Sequence, residues 1–274
     1  MSSPSSTRSS TVTTPAPASA GSDPLITIRG VKKTFVTREK TVNALAEVDL
    51  DIHPGEFISF VGPSGCGKST LLNIVAGLLS ASEGTVTVDG QRLTEPRRDM
   101  AFMFQHAVLL PWRSVESNVL MPAEVAGMDK EKVRVKAREI LRTVGLGDFL
   151  DSLPSQLSGG MQQRVALARV LTYEPKVLLM DEPFGALDEF TREAMNLELM
   201  RLAKETGITV LFVTHNVAEA AFLSHRVVVM SARPSRVAGV IDVPFAWPRS
   251  VDVMAQQEFT DLQFTIRTML GGHA

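Results

Sequence analysis

The chain has 274 residues, of which 44% are hydrophobic and 21% charged, and its 28 basic and 30 acidic side chains give a formal net charge of −2. This composition excludes a wholly disordered chain, and the near-zero charge disfavours a broad surface for nucleic acid. A single cysteine, Cys66, excludes an internal disulfide and a cysteine-based zinc site. No run of about 18 apolar residues is present, so the sequence predicts no membrane-spanning helix.

The N-terminal part of the chain changes character near residue 23. Residues 1–22 are mostly Ser, Thr, Pro and Ala, with Arg8 as their one charged side chain, and we expect a solvated, disordered tail. Apolar and polar residues then alternate over Leu25–Phe35 and Ala44–Ile52, which is the period of half-buried strands. These two segments predict an antiparallel β subdomain at the start of the folded region.

Further apolar patterns alternate between strands and helices. We predict more strands at Glu56–Val61, Thr85–Val88, Met100–Phe104, Lys176–Met180, Thr209–Val213 and Arg226–Met230. We predict helices over Leu71–Leu79, over 133–144, over Met161–Thr172, over Asp188–Glu205, and around Phe259, Leu262, Ile266 and Met269. Asp129 is the expected N-cap and Gly145 the expected end of the second helix. Asp188 is the expected N-cap of the fourth helix, which Gly207 ends. The alternation predicts an α/β core, and the helical block of about 106–165 is expected to be inserted into it.

A glycine-rich segment between a predicted strand and a predicted helix matches the pattern G-x-x-x-x-G-K-[ST]. The pattern covers Gly62, Pro63, Ser64, Gly65, Cys66, Gly67, Lys68 and Ser69, and Thr70 follows it. Glycines let successive backbone N–H groups point inward at phosphate oxygens, and the following helix start adds partial positive charge. Lys68 is expected to reach the β- and γ-phosphates of a nucleotide and Ser69 to ligate Mg²⁺. Cys66 occupies a variable position of the pattern.

Two carboxylates follow the apolar strand that ends at Met180. Ligand sites of parallel sheets lie at the carboxyl ends of strands, so Asp181 is expected to hold the Mg²⁺ shell. Glu182, next in the chain, can orient an attacking water or accept its proton.

A second anion-binding helix start is predicted at Ser158, Gly159 and Gly160, in the segment Leu-Ser-Gly-Gly that precedes the helix of Met161–Thr172. One nucleotide does not need two such ends from one chain. A second copy would explain the pair, with each subunit offering this end to the γ-phosphate held by the other.

Along the chain the glycine-rich segment comes first, the Leu-Ser-Gly-Gly segment second and the two carboxylates third. With the motifs in this order, residues 25–245 resemble the ATP-binding subunits of ABC transporters. The resemblance implies a P-loop NTPase core with an N-terminal antiparallel β subdomain and an inserted helical subdomain. It places the ATP-binding domain at 23–245 and a C-terminal helical extension at 246–274. It implies an ATPase that binds ATP and Mg²⁺, works as a homodimer and lies peripherally at the cytoplasmic face of the inner membrane.

The resemblance also assigns roles to further residues. Gln105 would touch Mg²⁺ or the water, Asp188 would act across the dimer, and His215 would approach the γ-phosphate. Phe35 stands where the family usually has a tyrosine that stacks on adenine; stacking needs only an aromatic face, although packing in the core is an alternative. Met161 replaces the glutamine usual at the fifth position of the signature, and Met cannot hydrogen-bond as an amide does.

The segment after Gln105 bears on the transported solute and the membrane partner. Its Leu-Pro-Trp step resembles the nitrate, sulfonate and taurine importer branch, whose permease would be contacted near Val108, Leu110, Pro111 and Trp112. The alternative is a helix start packed internally. A separate periplasmic or extracellular solute-binding protein would be an indirect partner, and no nucleic-acid partner is expected. A competing function is a soluble ABC-type ATPase of DNA repair or translation, although no heptad run and no second signature occur here.

Overall fold

The computed structural model describes residues 23–271 except Ala186. The predicted tail, residues 1–22, lies outside the described residues. The strands are β1 (Ile26–Val36), β2 (Thr41–Ile52), β3 (Phe57–Val61), β4 (Glu83–Val88), β5 (Gln91–Arg92), β6 (Met100–Met103), β7 (Val177–Asp181), β8 (Thr209–Val213), β9 (Arg226–Met230) and β10 (Val237–Asp242). The helices are α1 (Lys68–Val75), α2 (Val115–Ala126), α3 (Lys130–Thr143), α4 (Gly159–Thr172), α5 (Glu189–Thr206), α6 (Val217–Leu223) and α7 (Gln257–Gly271).

The strands form two sheets. The first has the order β2–β1–β4–β5 and is antiparallel throughout. The second has the order β10–β9–β3–β8–β7–β6, and its strands from β9 to β6 run parallel, with β10 antiparallel at the edge. An N-terminal antiparallel sheet beside an α/β core is the predicted fold class, which is therefore confirmed.

The parallel sheet separates two hydrophobic cores. On β8, Val210 and Phe212 face a core shared with α2 to α7, while Leu211 and Val213 face a core shared with α1 and the antiparallel sheet. Because successive side chains of a strand point to opposite faces, a strand between two cores is mostly apolar on both faces. This explains why these strands read as continuous apolar runs in the sequence.

Several predicted helix ends are confirmed by their caps. The Asp129 and Asp188 side chains accept backbone N–H bonds at the starts of α3 and α5. Gly207 ends α5 in the left-handed conformation that favours glycine. In α7, Phe259, Leu262 and Ile266 are buried, as their helical spacing predicts.

The first predicted helix is wrong in its position. We expected Leu71–Leu79, but α1 begins at Lys68 and ends at Val75. Its start carries no capping side chain, because the preceding residue is Gly67, so the usual signal of a helix start is missing. The lysine and hydroxyl residues of the glycine-rich segment thus belong to the first helical turn.

Four of the helices and strands listed above were not predicted from the sequence: α2, α6, β10 and the two-residue β5. Helix α2 has Pro122 in its interior, a residue that normally argues against a helix, although Ser114 caps its start and Gly127 its end. Helix α6 has only seven residues, about two turns, which is too short for helical periodicity to decide. Strand β10 contains Gly239 and has no buried residue, so its sequence shows neither a long apolar run nor strict alternation. Helix α6 begins two residues after His215, and β10 is the last strand before α7.

The buried side chain of Asn118 holds the loop before α2 in place. Its Oδ1 accepts the Leu110 N–H at 2.8 Å, and its Nδ2 donates to the carbonyls of Leu110, Arg113 and Ser114 at 2.9–3.1 Å. Asn118 is fully buried, so its amide group is satisfied by these loop groups and not by water. One amide side chain therefore fixes the segment that presents Trp112.

We predict that Asn118→Ala lowers the free energy of unfolding by about 2–3 kcal/mol, because the hydrogen bonds of a buried amide are lost and a cavity is left. Urea unfolding measures this change. Val125→Ala on the same helix is the control, since Val125 is exposed and should change stability by less than about 0.5 kcal/mol. Equal stabilities for the two variants would contradict the role given to Asn118.

Candidate active site

The site is assembled at one edge of the parallel sheet, where four neighbouring strands end. β3 pairs with β8, β8 with β7, and β7 with β6, all in parallel, so their carboxyl ends meet. The glycine-rich segment follows β3, His215 follows β8, Glu182 follows β7, and Gln105 follows β6. Residues that are up to 153 positions apart in the chain, from 62 to 215, thereby line one edge.

The glycine-rich segment can adopt its path only without side chains at two positions. A Cβ at Gly62 would lie 2.9 Å from the Met230 carbonyl oxygen, and one at Gly67 would lie 2.9 Å from the Leu45 side chain. Gly67 also has φ 128°, a backbone conformation that L side chains rarely adopt. The loop is therefore wedged between β9 and β2, and it opens directly onto the start of α1.

Lys68 and Ser69 project from the first turn of α1 into the site. Lys68 is only 5% exposed, and its Nζ donates to the Gly62 and Pro63 carbonyls at 2.8 and 3.1 Å. The Ser69 hydroxyl donates to Asp181 Oδ1 at 2.8 Å. Ammonium, hydroxyl and carboxylate groups thus converge at a helix N-terminus, which itself favours anions.

The donor set beside Lys68 fits a magnesium ion. Ser69 and Asp181 supply hard oxygen atoms within hydrogen-bond distance of each other, and Gln105 follows the adjacent strand. Magnesium in phosphate sites takes one or two protein oxygens and completes its shell with phosphate and water. Burial raises the pKa of Asp181, and the Glu182 charge adds to this rise, so a cation would stabilise the ionised carboxylate.

Glu182 and His215 form a pair at the mouth of the site. His215 Nδ1 lies 3.3 Å from Glu182 Oε2, and the histidine side chain is 61% exposed. Glu182 has φ 46°, a strained value for a residue with a side chain, and its N–H donates to the Val213 carbonyl. A carboxylate and an imidazole side by side can share the tasks of proton transfer and anion contact.

Phe35 lies on β1 of the antiparallel sheet, next to β2, the strand that approaches the glycine-rich segment. It pairs with Val42 on β2, two residues before Ala44, whose carbonyl oxygen is 3.1 Å from where a Gly67 Cβ would stand. Its ring is 39% exposed, and Lys33 Nζ sits 5.1 Å from the ring centroid. The ring is therefore partly exposed, and a cation lies over it.

Ser158 caps α4, and the signature glycines form its first turn. The Ser158 hydroxyl accepts the Met161 N–H at 3.3 Å, and Ser158 and Gly159 are exposed. The Met161 side chain is partly buried against the hydrophobic core, a packing role that an amide would not serve better. Within the described residues, no hydrogen bond joins this segment to the glycine-rich segment of its own chain.

Two further predicted residues are held by local contacts. Asp188 is the N-cap of α5 and accepts from both the N–H and the hydroxyl of Thr191, which lowers its pKa. The Gln105 carbonyl accepts from the Gln163 side chain on α4, and its own side chain is exposed. The signature helix is thereby connected to the strand end that carries Gln105.

The sequence analysis missed site neighbours that only the fold brings together. Arg233 donates to the Gly65 carbonyl from the loop after β9, at 3.2 Å from Nε. Glu219, on α6, accepts a hydrogen bond from Thr214, the residue before His215. The sequence does indicate a helix start at Glu219, because an N-cap residue followed three positions later by Glu is typical of the first turn of a helix. Asn216 is that N-cap in the structure.

The comparisons with known proteins point to one family. The model of the ABC transporter family matches residues 45–185. The aliphatic sulfonates import ATP-binding protein SsuB of Bacillus cereus is 43% identical over 233 residues, covering 85% of this chain and 92% of its own. The taurine import ATP-binding protein TauB of Rhizobium johnstonii is 44% identical over 236 residues, covering 84% and 90%.

Solved structures agree with the sequence relatives. The dimeric post-hydrolysis state of the ATP-binding cassette MJ0796, bound to ADP and Pi, superposes with a TM-score of 0.73 at 35% identity. It covers 81% of this chain and all of its own. Family model, relatives and fold coincide over the segment that holds the glycine-rich loop, the signature and the acidic strand, and the chain therefore belongs to the ABC transporter family of ATP-binding cassettes.

Proposed function

We propose that this protein is the ATP-hydrolysing subunit of an ABC importer and that it powers uptake of a small sulfonate-type solute through a separate permease. The observation that carries the proposal is the convergence of Lys68, Ser69, Asp181, Glu182 and His215 at one sheet edge. The relatives named for sulfonate and taurine import support the importer branch, and nitrate remains within the same class of small anions. No observation favours a role in DNA repair or translation.

Nucleotide binding would begin at the glycine-rich loop. The backbone N–H groups of residues 62–67 and the start of α1 would contact the phosphates, and Lys68 would exchange its carbonyl partners for β- and γ-phosphate oxygens. Ser64, Cys66 and Thr70 lie in the same cradle, where backbone groups make the contacts. Phe35 would stack on adenine, since it is exposed on β1, and the neighbouring strand β2 contacts the glycine-rich loop.

Ser69, Asp181 and Gln105 would hold the magnesium ion, which when bound neutralises charge on the β- and γ-phosphate oxygens. Glu182 would orient the attacking water and accept its proton as the water oxygen bonds to the γ-phosphorus. His215, 3.3 Å from Glu182, would contact the γ-phosphate and keep the carboxylate aimed at the water. The bond from phosphorus to the bridging oxygen breaks, and ADP leaves with its charge contacted by Lys68.

A second copy of the chain would complete the site. Ser158, Gly159 and Gly160 form an exposed helix start that no hydrogen bond ties to its own glycine-rich loop within the described part of the chain. The dimeric cassette structures support a paired assembly, and in it this helix start would close over the partner's nucleotide. Asp188, at the start of α5, would then lie at the same interface. ATP binding would hold the copies together, and hydrolysis would release them.

A patch at the end of β6 would receive the permease. Trp112 is 73% exposed, and Val108, Phe104 and Pro111 are exposed beside it, while Leu110 is partly buried. Large exposed apolar side chains grouped in one loop are typical of a binding surface for an amphipathic helix. The protein would sit at the cytoplasmic face of the membrane by this contact. No helix in the described part of the chain is long and apolar enough to cross a membrane itself.

We predict that Lys68→Ala lowers ATP turnover by at least about 100-fold, because the transferred phosphate loses its main cation. Phosphate release measures turnover, and uptake of labelled taurine and ethanesulfonate by cells that carry the protein with its permease measures function. Lys40→Ala, which removes an exposed lysine, should leave both unchanged. Normal turnover in Lys68→Ala would contradict the site, whereas intact turnover with no sulfonate uptake in the wild type would contradict the solute class.

Trp112→Ala is expected to reduce recovery of the permease with the tagged protein from detergent-solubilised membranes by at least about fivefold, because a large aromatic anchor is removed. Its affinity for a fluorescent ATP analogue should change by less than about twofold. Phe264→Ala is the control, since Phe264 is an equally exposed aromatic on α7. Weaker nucleotide binding with an intact permease contact would instead place Trp112 in the nucleotide site.

A further inference from the structure

A small polar cavity is lined in part by Glu182 and His215. It has a volume of about 10 Å³, and its lining includes both residues of the pair together with Arg192, Thr214, Asn216 and Glu219. The cavity is too small for a substrate, and its walls belong to the elements that carry the pair. The residues that line the cavity are therefore placed to hold Glu182 and His215 in position.

The Glu219 carboxylate is the most unusual group of this wall. Glu219 is only 6% exposed, and its Oε2 accepts the Thr214 hydroxyl at 2.6 Å. Its Oε1 is buried and has no hydrogen-bond partner among the described residues, although Asn196 and Arg192 of α5 lie beside the carboxylate. Burial raises the pKa of Glu219. Such burial costs folding free energy, so a side chain needed only for packing would be apolar here.

Thr214, Asn216 and Glu219 form a ring of hydrogen bonds at the turn that carries His215. The Thr214 hydroxyl donates to Glu219 and accepts the Asn216 N–H at 3.0 Å. The Asn216 side chain in turn accepts the N–H of Glu219 at 3.2 Å, which closes the ring at the start of α6. His215 stands between Thr214 and Asn216, and its ring has one hydrogen-bond partner in the described residues, Glu182. The direction of the exposed imidazole therefore depends on a turn that this ring fixes.

We propose that Glu219 is a positioning residue for ATP hydrolysis, which through the Thr214 hydroxyl fixes the turn that presents His215 to the γ-phosphate and to Glu182. This inference rests on the proposed function, because it assigns His215 to the hydrolytic step. It also explains why a hydroxyl residue precedes the histidine, since an apolar residue at 214 would leave the Glu219 carboxylate buried without its donor.

The test compares Thr214→Val with Thr214→Ser. Valine matches threonine in shape but removes the hydroxyl, whereas serine keeps the hydroxyl and removes a methyl group. We expect Thr214→Val to lower kcat at least about tenfold while KM for ATP changes by less than about twofold, because the misplaced group acts in hydrolysis and not in binding. Thr214→Ser should retain kcat within about threefold. Thermal unfolding of both variants is the control for correct folding.

Two variants at position 219 make the test independent of position 214. Glu219→Gln keeps an oxygen that can accept the Thr214 hydroxyl and should resemble Thr214→Ser, whereas Glu219→Leu should lose kcat as Thr214→Val does. A normal kcat in Thr214→Val, or kcat and KM altered together in both Thr214→Val and Glu219→Leu, would overturn the inference and leave the ring a role in stability alone. An inactive wild type would instead contradict the proposed function, so the two failures are distinguishable.

Discussion

The parallel pairing of β3, β8, β7 and β6 is the constraint on which the site depends. Each of these strands is apolar on both faces, so it must lie between two cores, and only a parallel arrangement brings the four carboxyl ends to one edge. The site residues are brought together by the strand pairing itself, because they lie at the ends of these strands or directly after them. The Asp181–Ser69 hydrogen bond and the Glu182–His215 contact follow from this register.

The site is nevertheless divided between two helix starts. The start of α1 continues the glycine-rich loop, whereas the start of α4 is exposed and belongs to the helical part of the chain. The α4 helix is also connected to the end of β6, through Gln163 and through Arg169, whose guanidinium donates to the Ala107 and Val108 carbonyls. In the proposed cycle, a movement of α4 toward a partner's nucleotide would therefore move the loop that carries Trp112, which gives a direct connection between nucleotide and permease.

Much of this arrangement could be predicted from the sequence, and the reasons for the rest are local. The continuous apolar strands were predictable because they are short and alternate with helical patterns, and the G-x-x-x-x-G-K-[ST] pattern because strand and helix flank it. The Asp129 and Asp188 caps were predictable because each stands just before a helical apolar pattern. Helix α2 was missed because Pro122 lies inside it, and α6 because seven residues carry little periodicity. The roles of Thr214 and Glu219 depend on tertiary burial, which no spacing encodes, and the roles given to the other site residues stay predictions.

The central claim is that the nucleotide of one chain is closed over by Ser158 of another, and the molar mass of Glu182→Gln with ATP tests it most directly. This variant should bind ATP without consuming it, so light scattering at saturating ATP is predicted to give the mass of two chains, and the mass of one chain without ATP. Adding Ser158→Glu should restore the single chain, because a carboxylate would face the partner's γ-phosphate. A Glu182→Gln protein that stays monomeric with ATP, or a dimer that Ser158→Glu leaves intact, would contradict the account.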